Sequence, residues 1–583
     1  MAALPFHPLL GILIAILILS GTILFGQEVL KRLDQKKSVL VSLALGMVLI
    51  SQALYICSLD KIMFTILYPT AWCLMLLGAW YNFSYLRIVV PKCYSWRNRI
   101  LNIIQDPVYS FSALLMFGFI LLSFSPPTNA DALNYHWGIP VYLLRNHEWP
   151  STGLWLHGSL GGIGEIYNTL GVSLYAENLG TILQSLSLIL FSCYLANRYK
   201  GNKRIFLHLY ILSSPVLLFL VTAPKPQLFP AVLTALALYI TISEKNINKQ
   251  SFFLITCLLM GAAQQKISFN LTGSIIGMWA FWKALRNTKL SLAIVLMCFL
   301  FFYLPRGIWN LGQSSNLGLT SFISPLPVEF LDGLHKYREN NFWFPFNLFF
   351  PQSLGTVSSI LGFQILFLVF VRTKNKKFWA VMVITTSGIV ATYFLGQSVA
   401  RSFYEFVLWT AVAFSFLPQE EFNFRIFTRL LLIQGLGVFV TVLFGIFVLF
   451  PGALSGNWRK EVMLRSASEY SAVEWVNQVI PENAVVISGL RSVSLLSHEF
   501  IPTDWLSFSG VKKKYFDTIK LKNPNFLLVR GKNLKDLAWG ACAGEIYAGP
   551  KSFKVATRNP YNSGLTYHVT IYHFNSSLLP QCQ

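Results

Sequence analysis

The chain has 583 residues, of which 54% are hydrophobic, 15% aromatic and only 12% charged, and its mean hydropathy is +0.54. A soluble protein carries about a quarter charged residues, so this composition excludes a water-soluble globule and assigns most of the chain to lipid. The net charge of +22 would suit a nucleic-acid binder, but the basic residues fall in short loops between apolar runs, which excludes that partner.

Apolar runs recur at the length that crosses a hydrocarbon core of about 30 Å. They show no period-two alternation, and backbone groups inside lipid need internal partners, so they predict helices rather than a barrel. In chain order they predict spans at roughly 8–26, 38–57, 62–82, 108–125, 179–197, 205–222, 227–243, 250–264, 268–284, 290–307, 352–372, 378–395, 403–418 and 429–451, about fourteen crossings. The first run lacks a basic start and a small-residue cleavage site, which predicts a retained span rather than a signal peptide.

Basic residues gather in five places: Lys31, Arg32, Lys36 and Lys37; Arg87, Lys92, Arg97 and Arg99; Arg198, Lys200, Lys203 and Arg204; Lys283, Arg286 and Lys289; and Arg372, Lys374, Lys376 and Lys377. These fall between alternate pairs of spans, so the positive-inside rule makes their loops cytoplasmic. Both termini and the loops at about 126–163 and 308–350 are then exported. Three parts follow: accessory spans over residues 1–105, a membrane core over 106–454, and a polar part over 455–583. No fixed-period repeat is present.

The loop after the fourth span holds the densest chemistry. Pro126-Pro127 ends that span, since proline cannot donate to the helical ladder. Asp131-Ala-Leu-Asn134-Tyr135-His136-Trp137 follows at once. From Tyr135 to about His147, Trp137, Val141, Leu143 and Leu144 mix with Asn134, Arg145 and Asn146, which predicts a short helix lying along the bilayer surface. Asp131 either carries chemistry, as ionisable groups near a membrane tend to, or caps that helix. Glu165 is a second carboxylate, and the glycines of Gly161-Gly-Ile-Gly-Glu165 either let backbone approach a ligand or end the loop. His136, His147 and His157 share the loop without a metal-site spacing.

Cations at the exported ends of later spans stand out because positive charge is normally kept inside. Lys225, Lys266, Arg306 and Arg401 occupy four such turns, with Tyr404 and Glu405 close behind the last. Each either snorkels from a helix end or joins an anion site, a phosphate in particular. No nucleotide-binding glycine loop, HExxH, CxxC or GxSxG is present.

In the polar part, Ser468 to Val479 has helical spacing, and Ala484–Ile487 and Phe526–Val529 read as buried strands. These predict a small exported α/β domain. It holds Cys542 and Cys582, which either pair as a disulfide or remain thiols; Cys57, Cys73, Cys193, Cys257 and Cys298 sit in or beside spans, and Cys93 in a cytoplasmic loop.

The Asp131–Trp137 segment, placed between a span and a short helix and followed by Gly164-Glu165, resembles the first exported loop of GT-C glycosyltransferases. More narrowly it resembles the polyprenyl-phosphate-sugar enzymes, among them the bacterial lipopolysaccharide-core-modifying and protein-mannosyltransferase-like groups. The resemblance covers roughly residues 108–451. It implies a GT-C-like helical bundle in a bacterial inner membrane, with an exported C-terminal domain. It implies transfer of a hexosyl or pentosyl group from a polyprenyl-phosphate donor to a hydroxyl of a lipid, glycan or protein acceptor, with inversion. Asp131 would be the general base, Tyr135 and His136 would orient the sugar or the Asp, and Lys225, Lys266, Arg306 and Arg401 would stabilise the lipid phosphate. Glu165 and Glu405 complete the substrate-binding set, Glu165 meeting a hydroxyl or an optional divalent cation, Mg or Mn, shared with Asp131 and His136.

The chain departs from the pattern in places. Ala130 and Ala132 flank Asp131 where relatives carry a second acid, and the expected Lys-x-Asp turn reads Lys225-Pro226-Gln227. The later Arg-Asn element appears as Arg306-Gly-Ile-Trp-Asn310 without Gly-Asn-Pro, and the three N-terminal spans exceed the usual core. These departures bear on metal dependence more than on fold. Three rivals stand beside this reading: a transporter or flippase for a lipid-linked glycan, which needs no base; an O-antigen ligase or polymerase, whose key loop lies later in the chain; and a structural membrane subunit.

Overall fold

Helices form along the apolar runs in the computed structural model, which describes residues 7–35, 38–60, 62–89, 107–151, 154–155, 157–158, 161–284, 288–313, 345–502, 519–531, 542–558 and 564–581. They are α1 Pro8–Arg32, α2 Val39–Leu59, α3 Met63–Val89, α4 Pro107–Ser123, α5 Gly138–Asn146, α6 Ile163–Ser173, α7 Leu179–Ala196, α8 Gly201–Leu212, α9 Leu217–Leu220, α10 Leu228–Ser243, α11 Lys249–Gln265, α12 Phe269–Ala284, α13 Thr288–Phe302, α14 Leu304–Gln313, α15 Lys376–Phe394, α16 Ala400–Phe416 and α17 Phe424–Leu449. Most of the loop expected at about 308–350 lies outside the described residues, as do Lys36, Lys37, Lys92, Cys93, Arg97, Arg99, Arg286 and Cys582.

Six of these helices, α1, α2, α3, α7, α15 and α17, are long and apolar enough to cross a bilayer, and the bent pair α13–α14 makes a seventh. Large apolar side chains such as Met278, Trp282, Leu296, Val383, Ile433, Val440 and Phe447 are exposed on the outer helices. This is the surface of an integral membrane protein. By length the helices fall short of the fourteen crossings expected, because α8, α10, α11, α12 and α16 have only 12 to 17 residues. Of these, α10 and α16 are buried almost throughout and form the centre of the bundle.

The span expected at 352–372 is not an α-helix. It folds as short 3₁₀ turns, Leu354–Ser359 and Gln364–Phe370, joined through Gly362 at φ +88°. The break between α8 and α9 at Ser213-Ser214-Pro215 lies beside it, and the two irregular stretches satisfy each other. Val216 N–H donates to Ile360 C=O at 2.9 Å and Ser214 Oγ to Leu361 C=O at 2.6 Å. Gln434 of α17 accepts from Phe363 N–H at 2.8 Å and donates to Gln364 at 2.6 Å. Non-helical backbone inside a membrane protein persists only where protein meets its polar groups in this way.

The bend between α13 and α14, 42°, has a similar origin. Pro305 has no N–H, which leaves the carbonyl four residues earlier without its helical donor. Gln52, buried in α2, donates its amide to that carbonyl, Phe301 C=O, at 2.7 Å.

The C-terminal part begins with α18 Gly456–Ser466 and α19 Tyr470–Val479. Strands β1 Val485–Ser488, β2 Glu499–Pro502, β3 Phe526–Arg530, β4 Ala543–Lys554 and β5 Thr566–Phe574 form one sheet in the order β2-β1-β3-β5-β4. β1 runs parallel to β2 and β3, with Val486 opposite Phe526, and β5 is antiparallel to β3 and β4. The apolar runs at 484–487 and 526–529 thus become neighbours. Cys542 is buried and disulfide-bonded.

This domain rests on the loop that carries Asp131. Arg145 donates to Leu496 C=O at 2.7 Å and His498 C=O at 3.0 Å. Arg459 of α18 grips Glu177 with two bonds of 2.9 and 2.8 Å, both side chains 4% exposed. Helix α5 forms where expected but does not lie on lipid: Gly138 to Leu143 are buried between α6 and the domain, and Phe500 packs on Tyr142 and Trp155. Its aromatic face finds a protein partner, which displaces the bilayer.

At the other end of the bundle, Lys203 donates to Ser415 C=O at 2.8 Å, and Lys283 to Thr241 and Glu244 C=O at 2.6 Å each. These lysines meet the unsatisfied carbonyls at the C-terminal ends of α16 and α10. Lys203 and Lys283 therefore lie at one end, and the N-terminal ends of the same two helices, with Arg401 and Lys225, point to the other.

Candidate active site

Asp131 is placed by its own loop. The Asn129 side chain accepts from the backbone N–H groups of Asp131 and Ala132 at 3.0 and 3.3 Å. Ala132–His136 then form one wide π-helical turn, closed by Trp137 N–H on Ala132 C=O at 2.8 Å. Such turns are rare and recur at functional sites.

Three cations from distant segments meet the Asp131 carboxylate. Arg491 of the C-terminal domain lies 2.6 Å from Oδ1, while Lys225 and Arg401 lie 3.5 and 3.7 Å from Oδ2. Burial alone would raise the pKa of this carboxyl group, but Lys225, Arg491 and Arg401 outweigh it and hold Asp131 well below the usual carboxylate range. Burial and the neighbouring Arg401 bring Lys225 down to about 8, with Asp131 opposing them.

The convergence follows from close packing around α6. A Cβ on Gly162 would stand 2.0 Å from Gln264 O, and one on Gly164 2.7 Å from Pro226 Cβ. Only glycine lets the start of α6 touch both the Pro224–Gln227 turn and the end of α11. Asn168 fixes the first of these by donating to Pro224 C=O at 3.1 Å, and Gln184 caps α10 by accepting from Leu228 and Phe229 N–H at 2.8 and 2.7 Å. Gln227, standing where relatives of the resembled group carry an acid, accepts from Lys266 Nζ and donates to Arg401 C=O at 3.3 Å. A neutral amide therefore ties Lys266 and Arg401 to the Lys225 turn. Burial, then Lys225 and Arg401, push Lys266 well below the ordinary lysine range.

Glu165 and His136 form a separate buried pair. His136 Nδ1 and Glu165 Oε1 are 2.7 Å apart, and Glu165 Oε2 accepts from Gly162 N–H at 2.8 Å. Glu165 thus closes the first turn of its own helix and anchors the Asp131 loop to it. Burial lowers the imidazole's affinity for a proton, more than Glu165 raises it. His136 Nε2 is buried without a partner among the described residues. Tyr135 lies between His136 and His157, with ring centroids 4.1 and 5.6 Å away.

Two expected residues have partners other than Asp131. Glu405 accepts from Thr234 Oγ1 at 2.6 Å inside the bundle, and Arg306 donates to Gln264 C=O at 3.2 Å. A divalent cation needs several oxygen donors. Asp131 faces three cations and Glu165 is engaged by His136 and Gly162, so these residues do not form such a set. Among the described residues no group of three or more His, Cys, Asp or Glu is placed to hold a metal ion.

Sequence reading missed Asn129, Arg491 and Arg558. Arg558 of the C-terminal domain donates to Thr128 Oγ1 at 2.6 Å and to Thr222 Oγ1 at 2.5 Å. Nothing in the local sequence marks these arginines, since only the docking of the domain brings them to the site.

Two family models match the chain, the one described as the DUF1420 N-terminal domain over residues 82–463 and the one described as the DUF1420 C-terminal domain over residues 465–583. No curated protein matches it. Among solved structures it is similar to ArnT from Cupriavidus metallidurans bound to undecaprenyl phosphate, with 12% identity, 80% of this chain and 97% of that chain covered, and a TM-score of 0.45. It is similar also to the same protein in the apo state, with 13% identity, coverage of 84% and 99%, and a TM-score of 0.37.

Proposed function

The chain belongs to the DUF1420 family, and we propose that it transfers a sugar from a polyprenyl-phosphate donor to an acceptor hydroxyl at the exported face of the membrane. The observation that carries this reading is the single carboxylate of Asp131 set among Lys225, Arg401 and Arg491, at the end of the bundle opposite Lys203 and Lys283. The positive-inside rule puts the loops of those two lysines in the cytoplasm, and a disulfide at Cys542 suits an exported domain.

The chemistry is a single displacement. The acceptor oxygen attacks the anomeric carbon and its proton passes to Asp131, while the bond from that carbon to the phosphate oxygen breaks and its electron pair stays on the lipid phosphate. The donor carries one negative charge and the departing monoester up to two. Lys225 and Arg401 stabilise that added charge, which accelerates the step only so far as they bind it better in the transition state. While paired with three cations, Asp131 is ionised but weakly basic. A phosphate drawing on the same cations relieves that, so donor binding makes the carboxylate a better proton acceptor. Lys266 supports the cluster through Gln227, and the His136–Glu165 pair holds the loop.

Asp131→Asn keeps shape and removes the proton acceptor, so it should lower transfer by roughly 10²–10⁴-fold without loss of folding. Lys225→Ala should raise KM for the lipid donor as well as lower kcat, because it removes a phosphate partner in both states. Full turnover by Asp131→Asn would refute the base assignment.

A further inference from the structure

The C-terminal domain reaches the site with two guanidinium groups, those of Arg491 and Arg558. Arg491 is 48% exposed, yet its closest ionic partner is Asp131, 360 positions away in sequence. Exposed pairs of this kind are weak and exchange readily. Arg558 is partly buried and, among the described residues, bonds only to neutral oxygens, Thr128 Oγ1, Thr222 Oγ1 and, at 3.2 Å, Thr222 C=O. Among the described residues it has no carboxylate partner, and burial brings it down to about 10. A desolvated cation without a counter-ion is costly. Thr128 precedes Asp131 by three residues and Thr222 precedes Lys225 by three, so Arg558 bonds to both of the segments that carry the site.

We propose that the C-terminal domain supplies half of the phosphate site: Arg558 waits in it uncompensated, and Arg491 holds Asp131 until the donor phosphate takes over its guanidinium. The inference rests on the lipid-phosphate reading above. It gives the domain a role in each turnover, since releasing Arg491 from Asp131 both frees the base and adds a donor to the leaving oxygen. The domain is held at the right height by Arg459 on Glu177 and Arg145 on the 496–498 backbone.

The test measures undecaprenyl phosphate binding to the full-length protein in nanodiscs, with thermal unfolding as the check on folding. Arg491→Ala and Arg558→Ala should each weaken binding by about tenfold or more, as expected for lost charge-assisted hydrogen bonds, and Arg491→Lys should fall between Arg491→Ala and wild type. Asp131→Asn should bind more tightly than wild type, because the competing carboxylate charge is gone. A merely structural Arg491–Asp131 pair would make Arg491→Ala and Asp131→Asn act in the same direction. That result, or both arginine variants binding within twofold of wild type, would overturn the inference while leaving the donor reading intact. Wild-type protein that binds no undecaprenyl phosphate would overturn both. Wild-type binding abolished by excess phosphatidylglycerol in the nanodisc would assign the arginines to bilayer headgroups and overturn it as well.

Discussion

Lys225 is a residue whose charge state the site controls. Its ammonium is 5% exposed, beside Arg401, and titrates near 8. A lowered lysine is charged below that value and neutral above it, so phosphate affinity should be full near pH 7 and decline as pH rises through 8. The expected weakening of undecaprenyl phosphate binding is about tenfold between about pH 7 and pH 9. Lys225→Arg keeps its charge over this range and should flatten the profile. A wild-type profile as flat as that of the arginine variant would show that Lys225 does not hold the anion. Asp131, Lys225 and Arg401 were legible in sequence because a charge at the end of a span is conspicuous against apolar neighbours. Glu405 and Arg306 satisfy the same rule yet turn inward to Thr234 and Gln264, which spacing cannot reveal.

Among the elements, α6 organises the site, and its glycines make a sharp prediction. Gly162→Ala places a methyl group 2.0 Å from Gln264 O, which must displace the end of α11 or the start of α6. Overpacking of this kind costs about 1–3 kcal/mol, and here it should also separate Lys266 and Lys225. Thermal unfolding and undecaprenyl phosphate binding should both suffer. Gly456→Ala, where an added Cβ meets nothing within 4 Å, should change neither. Equal behaviour of the two variants would mean that the α6 contact does not shape the site. Most helices were readable from apolar runs, α11 and α12 included. The stretch at 352–372 was not, because its apolar composition is that of a span while Gly362 and the broken α8–α9 backbone beside it decide its conformation. Helix α5 was readable, but its burial under Phe500 was not, since both a bilayer and a protein domain accept the same aromatic face.

For the whole molecule, the membrane bundle and the C-terminal domain meet at the candidate site, where Arg491 and Arg558 bond to the segments of Asp131 and Lys225. Strands β1 and β3 could be anticipated from two buried runs, but their parallel pairing could not. Nor could the insertion of Arg491 and Arg558, because it depends on how the domain sits on Glu177 and Arg145. The most direct measurement of the central claim follows the donor itself. Purified protein in liposomes would be given polyprenyl-phosphate-linked sugars and an acceptor extract, with phosphorus NMR reading the phosphodiester and proton NMR the anomeric configuration of the product. The account predicts release of polyprenyl phosphate monoester, matched by a glycoside of opposite anomeric configuration, with both lost in Asp131→Asn. A lipid-linked sugar that moves across the bilayer with its phosphodiester intact would contradict it.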